Sequence, residues 1–144
     1  YATTLVKGEE DDAAQVFELG DDPVFASGGK SWVSGEQSRL EDQEGEASYS
    51  VSAKQTDTPP VALSTGAGGA IVATTVIESR VTTAKEGSEL PVGKVVKAIS
   101  GMSGKKSKIV QNVEHQLLFF VPNMSSEDPI QLLGSTSELV GASE

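Results

Sequence analysis

The stretch Pro122–Gly141, Pro-Asn-Met-Ser-Ser-Glu-Asp-Pro-Ile-Gln-Leu-Leu-Gly-Ser-Thr-Ser-Glu-Leu-Val-Gly, decides how the chain is read. Ser125, Ser126 or Asp128 can cap a helix, and Glu127 suits the positive end of its dipole. Pro129 fits a first turn. Ile130, Leu133 and Val140 fall near one helical face, with Leu132 and Leu139 beside it. Gly134 weakens such a helix by about 1 kcal/mol relative to Ala. The pattern predicts one amphipathic helix over 125–141.

Upstream, the sequence reads as strands. Thr3–Val6 and Gln15–Leu19 flank the polar turn Gly8–Asp12 and predict an N-terminal hairpin over 1–20. Val24–Ala26 reads as a short extended piece, Gly28-Gly29 as a turn, Ser31–Val33 as a strand start and Gly35–Gly45 as a charged loop. Ala47–Gln55 alternates: Ala47, Tyr49, Val51 and Ala53 point one way, and Ser48, Ser50, Ser52 and Lys54 the other. Residues 56–69 read as a long Pro/Gly loop. Ile71–Thr83 is the longest β-prone run, and Lys85–Gly87 turns the chain. Glu89–Ile99 reads as a further strand, Ser100–Lys106 as a loop and Lys108–Val121 as the last strand. In that strand Lys108, Asn112, Glu114 and Gln116 share one face, and Ile109, Val113 and Leu117 the other. Its end, Leu117–Val121, is wholly apolar and reads as buried on both sides.

The fold expected is therefore α+β in one domain, 1–144. An antiparallel sheet, the N-terminal hairpin plus about five strands, carries its main part over 31–121, and a C-terminal helix follows. One short helix cannot cover the apolar face of several strands. A second sheet of the same chain or a second chain must do so.

Charge is unevenly spread. The net charge is −10. Residues 1–46 carry twelve acids and three bases, residues 47–126 eight bases and five acids, and residues 127–144 four acids and no base. Seven of the eleven bases lie between Arg80 and Lys108, which gives an acidic front, a basic middle and an acidic end. The plain reading of such acidity is a solvated surface. Cysteine is absent, which excludes disulfides and thiolate chemistry. No apolar run is long enough to span a membrane. The first residues have neither a basic nor an apolar leader-like stretch, so no secretory signal is expected here.

Catalytic signatures are few. His115 is the single histidine. Its strand neighbours Glu114 and Gln116 point to the opposite face, so neither can orient it. No zinc-protease, nucleophile-elbow or phosphate-loop motif is present. Gly66-Ala67-Gly68-Gly69 reads as a linker, and Glu9–Asp12 as a solvated turn without calcium-loop spacing. No catalytic residue, metal ligand or cofactor is expected.

Glu89-Leu90-Pro91-Val92, then Asn112-Val113-Glu114-His115-Gln116-Leu117-Leu118-Phe119-Phe120, then Asn123 and a capped helix, resemble the coat proteins of single-stranded RNA bacteriophages. Tyr49–Gln55 resembles that family's fourth strand. The loops at 56–69 and 100–106 and the single helix depart from its pattern. The resemblance implies a homodimer with helices exchanged over the sheet, with Leu117, Phe119, Phe120, Ile130, Leu133 and Val140 as core and dimer contacts. It implies assembly into an icosahedral shell and residence in the virion, with assembly in the bacterial cytoplasm. It also implies that the polar sheet face binds single-stranded phage RNA, and it leaves room for translational repression at an RNA hairpin. Ser50, Ser52, Lys54, Lys108, Asn112, Glu114 and Gln116 would supply that face, extended by Thr74 and Arg80. Lysines there would neutralise phosphates, and small hydroxyls and amides would contact unstacked bases.

Two other readings stand beside it. A phage head-decoration protein or other β-sandwich binding module, without nucleic acid, accommodates the acidity more easily. A small hydrolase using His115 lacks a nucleophile that spacing can identify, so no enzymatic activity is expected.

Overall fold

The computed structural model describes residues 1–42 and 47–144. Alternation places β2 (Ala47–Gln55) and β7 (Lys108–Val121), and the run of Val, Ile and Thr over 71–83 places β4 (Ala70–Ala84). In β2 the side chains alternate between half-buried and exposed, as period-2 patterning requires. The remaining elements are α1 (Ala2–Lys7), β1 (Phe17–Glu18), α2 (Pro23–Ser27), α3 (Gly29–Asp42), β3 (Val61–Ser64), β5 (Leu90–Pro91), α4 (Lys94–Ser100), β6 (Lys105–Lys106) and β8 (Ile130–Ser143), with a 3₁₀ turn at Asp12–Val16.

The large sheet runs β1-β8-β7-β4-β2, and β3 pairs with β4 beyond the end of β2. It is mixed, because β1 lies parallel to β8 while the other pairs are antiparallel. A wholly antiparallel sheet with a terminal helix is thus not the fold. The helices come from the N-terminal third and from the segment before β7.

The C-terminal helix expected over 125–141 is strand β8, hydrogen-bonded along β7. Two β-bulges explain the misreading. Phe119 faces Leu132 while Leu118 faces Gly134, which leaves Leu133 as an extra residue. Val113 faces Leu139 while Asn112 faces Gly141, which leaves Val140 as the second. Two insertions seven residues apart break the alternation and imitate helical spacing. Leu133 and Val140, expected in the core, are half exposed at these bulges. The predicted caps serve turns instead. Asn123 Oδ1 accepts from the Ser125 amide at 2.9 Å, and Ser126 Oγ from the Asp128 amide at 3.1 Å.

The N-terminal hairpin over 1–20 is also replaced, by α1, the 3₁₀ turn and the short β1. Thr4 and Leu5 are buried on α1. The extended piece at 24–26 is helix α2. Asp22 caps it, accepting from the Val24 and Phe25 amides at 2.9 Å, and Pro23 takes the first turn. The strand start at 31–33 and the loop after it belong to α3, and the loop's end at 43–45 lies outside the described residues. The strand expected over 89–99 is β5 followed by α4. Gly101, at φ 72°, closes α4 in the left-handed conformation that Gly adopts without strain.

Leu5, Val24, Val76, Leu117 and Phe119 form the core between α1, α2 and the sheet. Ile130 and Leu132 pack against it. Tyr1, Phe17 and Phe119 make a ring cluster with centroids 5.1–5.8 Å apart. The chain's own helices therefore cover the sheet face carrying Val76, Leu117 and Phe119. The C-terminal helix that the expected exchange would use is strand β8.

Candidate functional site

The site is built on the helix-covered sheet face. Glu78 and Arg80 stand two apart on β4 and share that face. Glu78 has no exposed surface. Its Oε1 accepts from Arg80 Nε at 2.6 Å and from the Gly29 amide at 3.1 Å. Its Oε2 accepts from His115 Nε2 at 2.8 Å and from Arg80 Nη2 at 3.4 Å. A buried carboxylate with four donors is fully satisfied. Burial pushes its pKa up, but the hydrogen bonds from His115 and Arg80, the Arg80 charge and the Gly29 amide outweigh that and hold it at about 2.

Gly28 and Gly29 make this contact possible. A Cβ on Gly28 would lie 2.8 Å from Glu78 Oε2, and Gly29 has φ 52° with Leu5 O against its open side. The Glu78 carboxylate thereby sits at the N-terminus of α3, where the helix dipole favours negative charge.

Two branches leave this centre. In one, Nε2–H of His115 donates to Glu78, so in the neutral ring Nδ1 accepts from the Ser137 hydroxyl at 2.8 Å. Ser137 lies on β8, directly across from His115. The connectivity is hydroxyl, imidazole, carboxylate, which can in principle activate a nucleophile. Ser137 is exposed on β8 and does not line the cavity between α3, α4 and the sheet.

The other branch runs from Arg80 to a cavity. The Arg80 guanidinium lies 5.3 Å from the Trp32 ring centroid, and Trp32 meets Tyr49 edge-to-face at 5.5 Å. Trp32, Glu36 and Arg39 follow helical spacing on α3, so one stripe of that helix forms a wall. The sheet supplies Tyr49, Thr82, Ile109 and Gln111, and the segment before and within α4 supplies Leu90, Pro91, Gly93 and Val96. The cavity holds about 360 Å³. Among the described residues the Thr82 hydroxyl and the Gln111 amide make no side-chain hydrogen bond. An aromatic and aliphatic recess with a few uncommitted polar groups is the usual make-up of a small-molecule site.

The residues expected on an RNA surface divide in two. Strand register puts Ser50, Ser52, Lys54, Lys108, Asn112, Glu114 and Gln116 together on the opposite, open sheet face. Thr74 and Arg80 have the parity of Val76 and lie on the helix-covered face, because residues an even number apart in β4 share a side. Arg80 is committed to Glu78. The basic middle is partly neutralised as well, with Lys106 bound to Glu144 at 2.7 Å and Lys105 3.7 Å from Glu89. Ser79 Oγ donates to Asn112 Oδ1 at 2.7 Å, and Gln116 to Glu114 at 3.2 Å. Among the expected core residues, Leu117 and Phe119 are buried, while Phe120 turns to the open face.

Sequence reading missed Glu78, Trp32, Tyr49, Thr82 and Gln111. A signal existed for the first. Glu78 is the one acid within Ala70–Ala84, and Arg80 follows it at the spacing that shares a face.

Residues 1–144 match the model of a domain of unknown function, DUF8094, and the chain belongs to that family. No curated protein and no solved structure matches the chain.

Proposed function

We propose that this DUF8094 member is a non-enzymatic binding domain that takes a small aromatic or amphipathic molecule into the cavity between α3, α4 and the sheet. The observation that carries this reading is the pairing of a Trp32–Tyr49 wall with the uncommitted Thr82 and Gln111 groups. The charge cluster beneath serves the cavity by fixing Arg80 under Trp32. No group lining the cavity is poised as nucleophile and base together, since Glu36 binds Arg39.

The single tryptophan provides the test. Titration of isotope-labelled protein with p-cresol and benzoate should shift the Trp32 indole and Gln111 side-chain amide signals. A folded Thr82→Phe variant, with the cavity filled, should lose the response. Silence at both signals in the wild type, or shifts that persist in the filled variant, would overturn the proposal.

The coat-protein reading retains one supporting observation, the seven polar residues gathered on the open face. It proposes particles and nuclease-protected RNA. Electron microscopy and the absorbance ratio of the purified protein separate it from a ligand-binding domain.

A further inference from the structure

We infer that the open sheet face is the docking surface for a second copy of this chain, in a two-fold dimer whose sheets pack face to face. The face is defined by register. Leu63, Ile71, Phe120 and Gln131 form one row across β3, β4, β7 and β8, and Val61, Ala73, Leu118 and Gly134 the next. Further along lie Lys54, Ile77, Glu114 and Glu138, across β2, β4, β7 and β8.

The first two rows make an apolar end that the chain leaves open: Val61 is 60% exposed, Leu63 66% and Leu118 40%. Contiguous apolar surface of this kind marks an interaction site on a soluble chain. A groove of about 430 Å³, lined by Val61, Ala73, Leu118 and Gly134 among others, indents it.

The charge pattern selects a second copy as occupant. Lysine stands at the β2 edge of the third row and glutamate at its β8 edge. A two-fold axis parallel to the strands, between β4 and β7, lays β2 of one copy over β8 of the other. Lys54 then meets the partner's Glu138, twice by symmetry. The same operation stacks Ile71 on the partner's Phe120, Ala73 on the partner's Leu118 and Val81 on the partner's Val110. A Cβ placed on Gly134 would meet no other atom, so the β8 side of the apolar end permits close approach. Acidic and basic groups on this face nearly balance, Lys54 and Lys108 against Glu114 and Glu138, which suits self-association better than a polyanion.

Sedimentation equilibrium of the whole chain tests the inference. Wild-type protein should form a dimer. Lys54→Glu should weaken it roughly 100-fold, because like charges then face each other twice. Glu138→Lys should do the same, and the double variant should recover most of the affinity. Leu118→Arg should give a folded monomer. A wild-type chain that stays monomeric at millimolar concentration would overturn the inference. So would a dimer indifferent to these changes, or single charge variants that the double variant does not rescue.

Discussion

Four donors converge on the two oxygens of Glu78, and this single side chain ties α3 to β4 and β7. Its depressed pKa is also a statement about stability. The unfolded glutamate titrates near 4.5 and the folded one at about 2. The carboxylate's contribution is therefore complete above the unfolded value and is lost as pH falls through the folded one. Urea denaturation at a series of pH values should show stability declining from about pH 5 downward. Glu78→Gln removes the charge that answers Arg80 and should cost about 3 kcal/mol at neutral pH, as breaking buried ion pairs does. It should also flatten the acid limb. An acid limb as steep in the variant as in the wild type would assign the loss to other carboxylates. The sequence carried half of this residue-level picture. Adjacent parity ruled out Glu114 as the partner of His115, and the true partner stands across the sheet, where only strand pairing reveals it.

Elements whose one face is buried were legible, and those governed by tertiary contact were not. β2 and the first half of β7 show their alternation plainly, and β4 shows itself by its Val, Ile and Thr content. The helix α3 begins with Gly and contains Ser, Val and a second Gly, all weak helix formers. It forms because a carboxylate from β4 caps it and because Trp32 packs on Arg80 and Tyr49. Asp22-Pro23 was a readable start signal for α2, but its helix is too short to show periodicity. β8 misled for the opposite reason, since its bulges supplied a false helical period. The bulge assignment makes a contrast that a helix would not. Leu132 packs against the core, whereas Leu133 is the half-exposed extra residue. Leu132→Ser should cost about 2–3 kcal/mol and Leu133→Ser under about 1 kcal/mol, by denaturant midpoint. Equal costs would contradict the register.

At the scale of the molecule, the sheet needs more cover than one helix supplies; the chain's own N-terminal helices provide it, and the expected C-terminal helix is strand β8. Three N-terminal helices lie over one face, and the second face remains available to a partner. The acids described before β2, apart from Glu18 on β1, accordingly lie with the helices and turns and not in the sheet, and Lys30 reaches Glu10 there at 3.1 Å. The cavity is closed on one side by α4, which is the least anchored wall. Of its residues Val96 is buried, while Val95 is 62% and Ile99 43% exposed, and glycines flank it at 93 and 101. Few buried contacts and exposed backbone bonds lower the free energy of local opening. Amide hydrogen exchange should therefore be faster across Lys94–Ser100 than across β4 and β7, which are hydrogen-bonded on both sides. A ligand held against Val96 should slow exchange in α4 and leave the β4–β7 ladder unchanged. Protection of α4 equal to that of the ladder in the free protein would mean a rigid wall, and entry to the cavity would then have to come past Glu36 and Arg39 on α3.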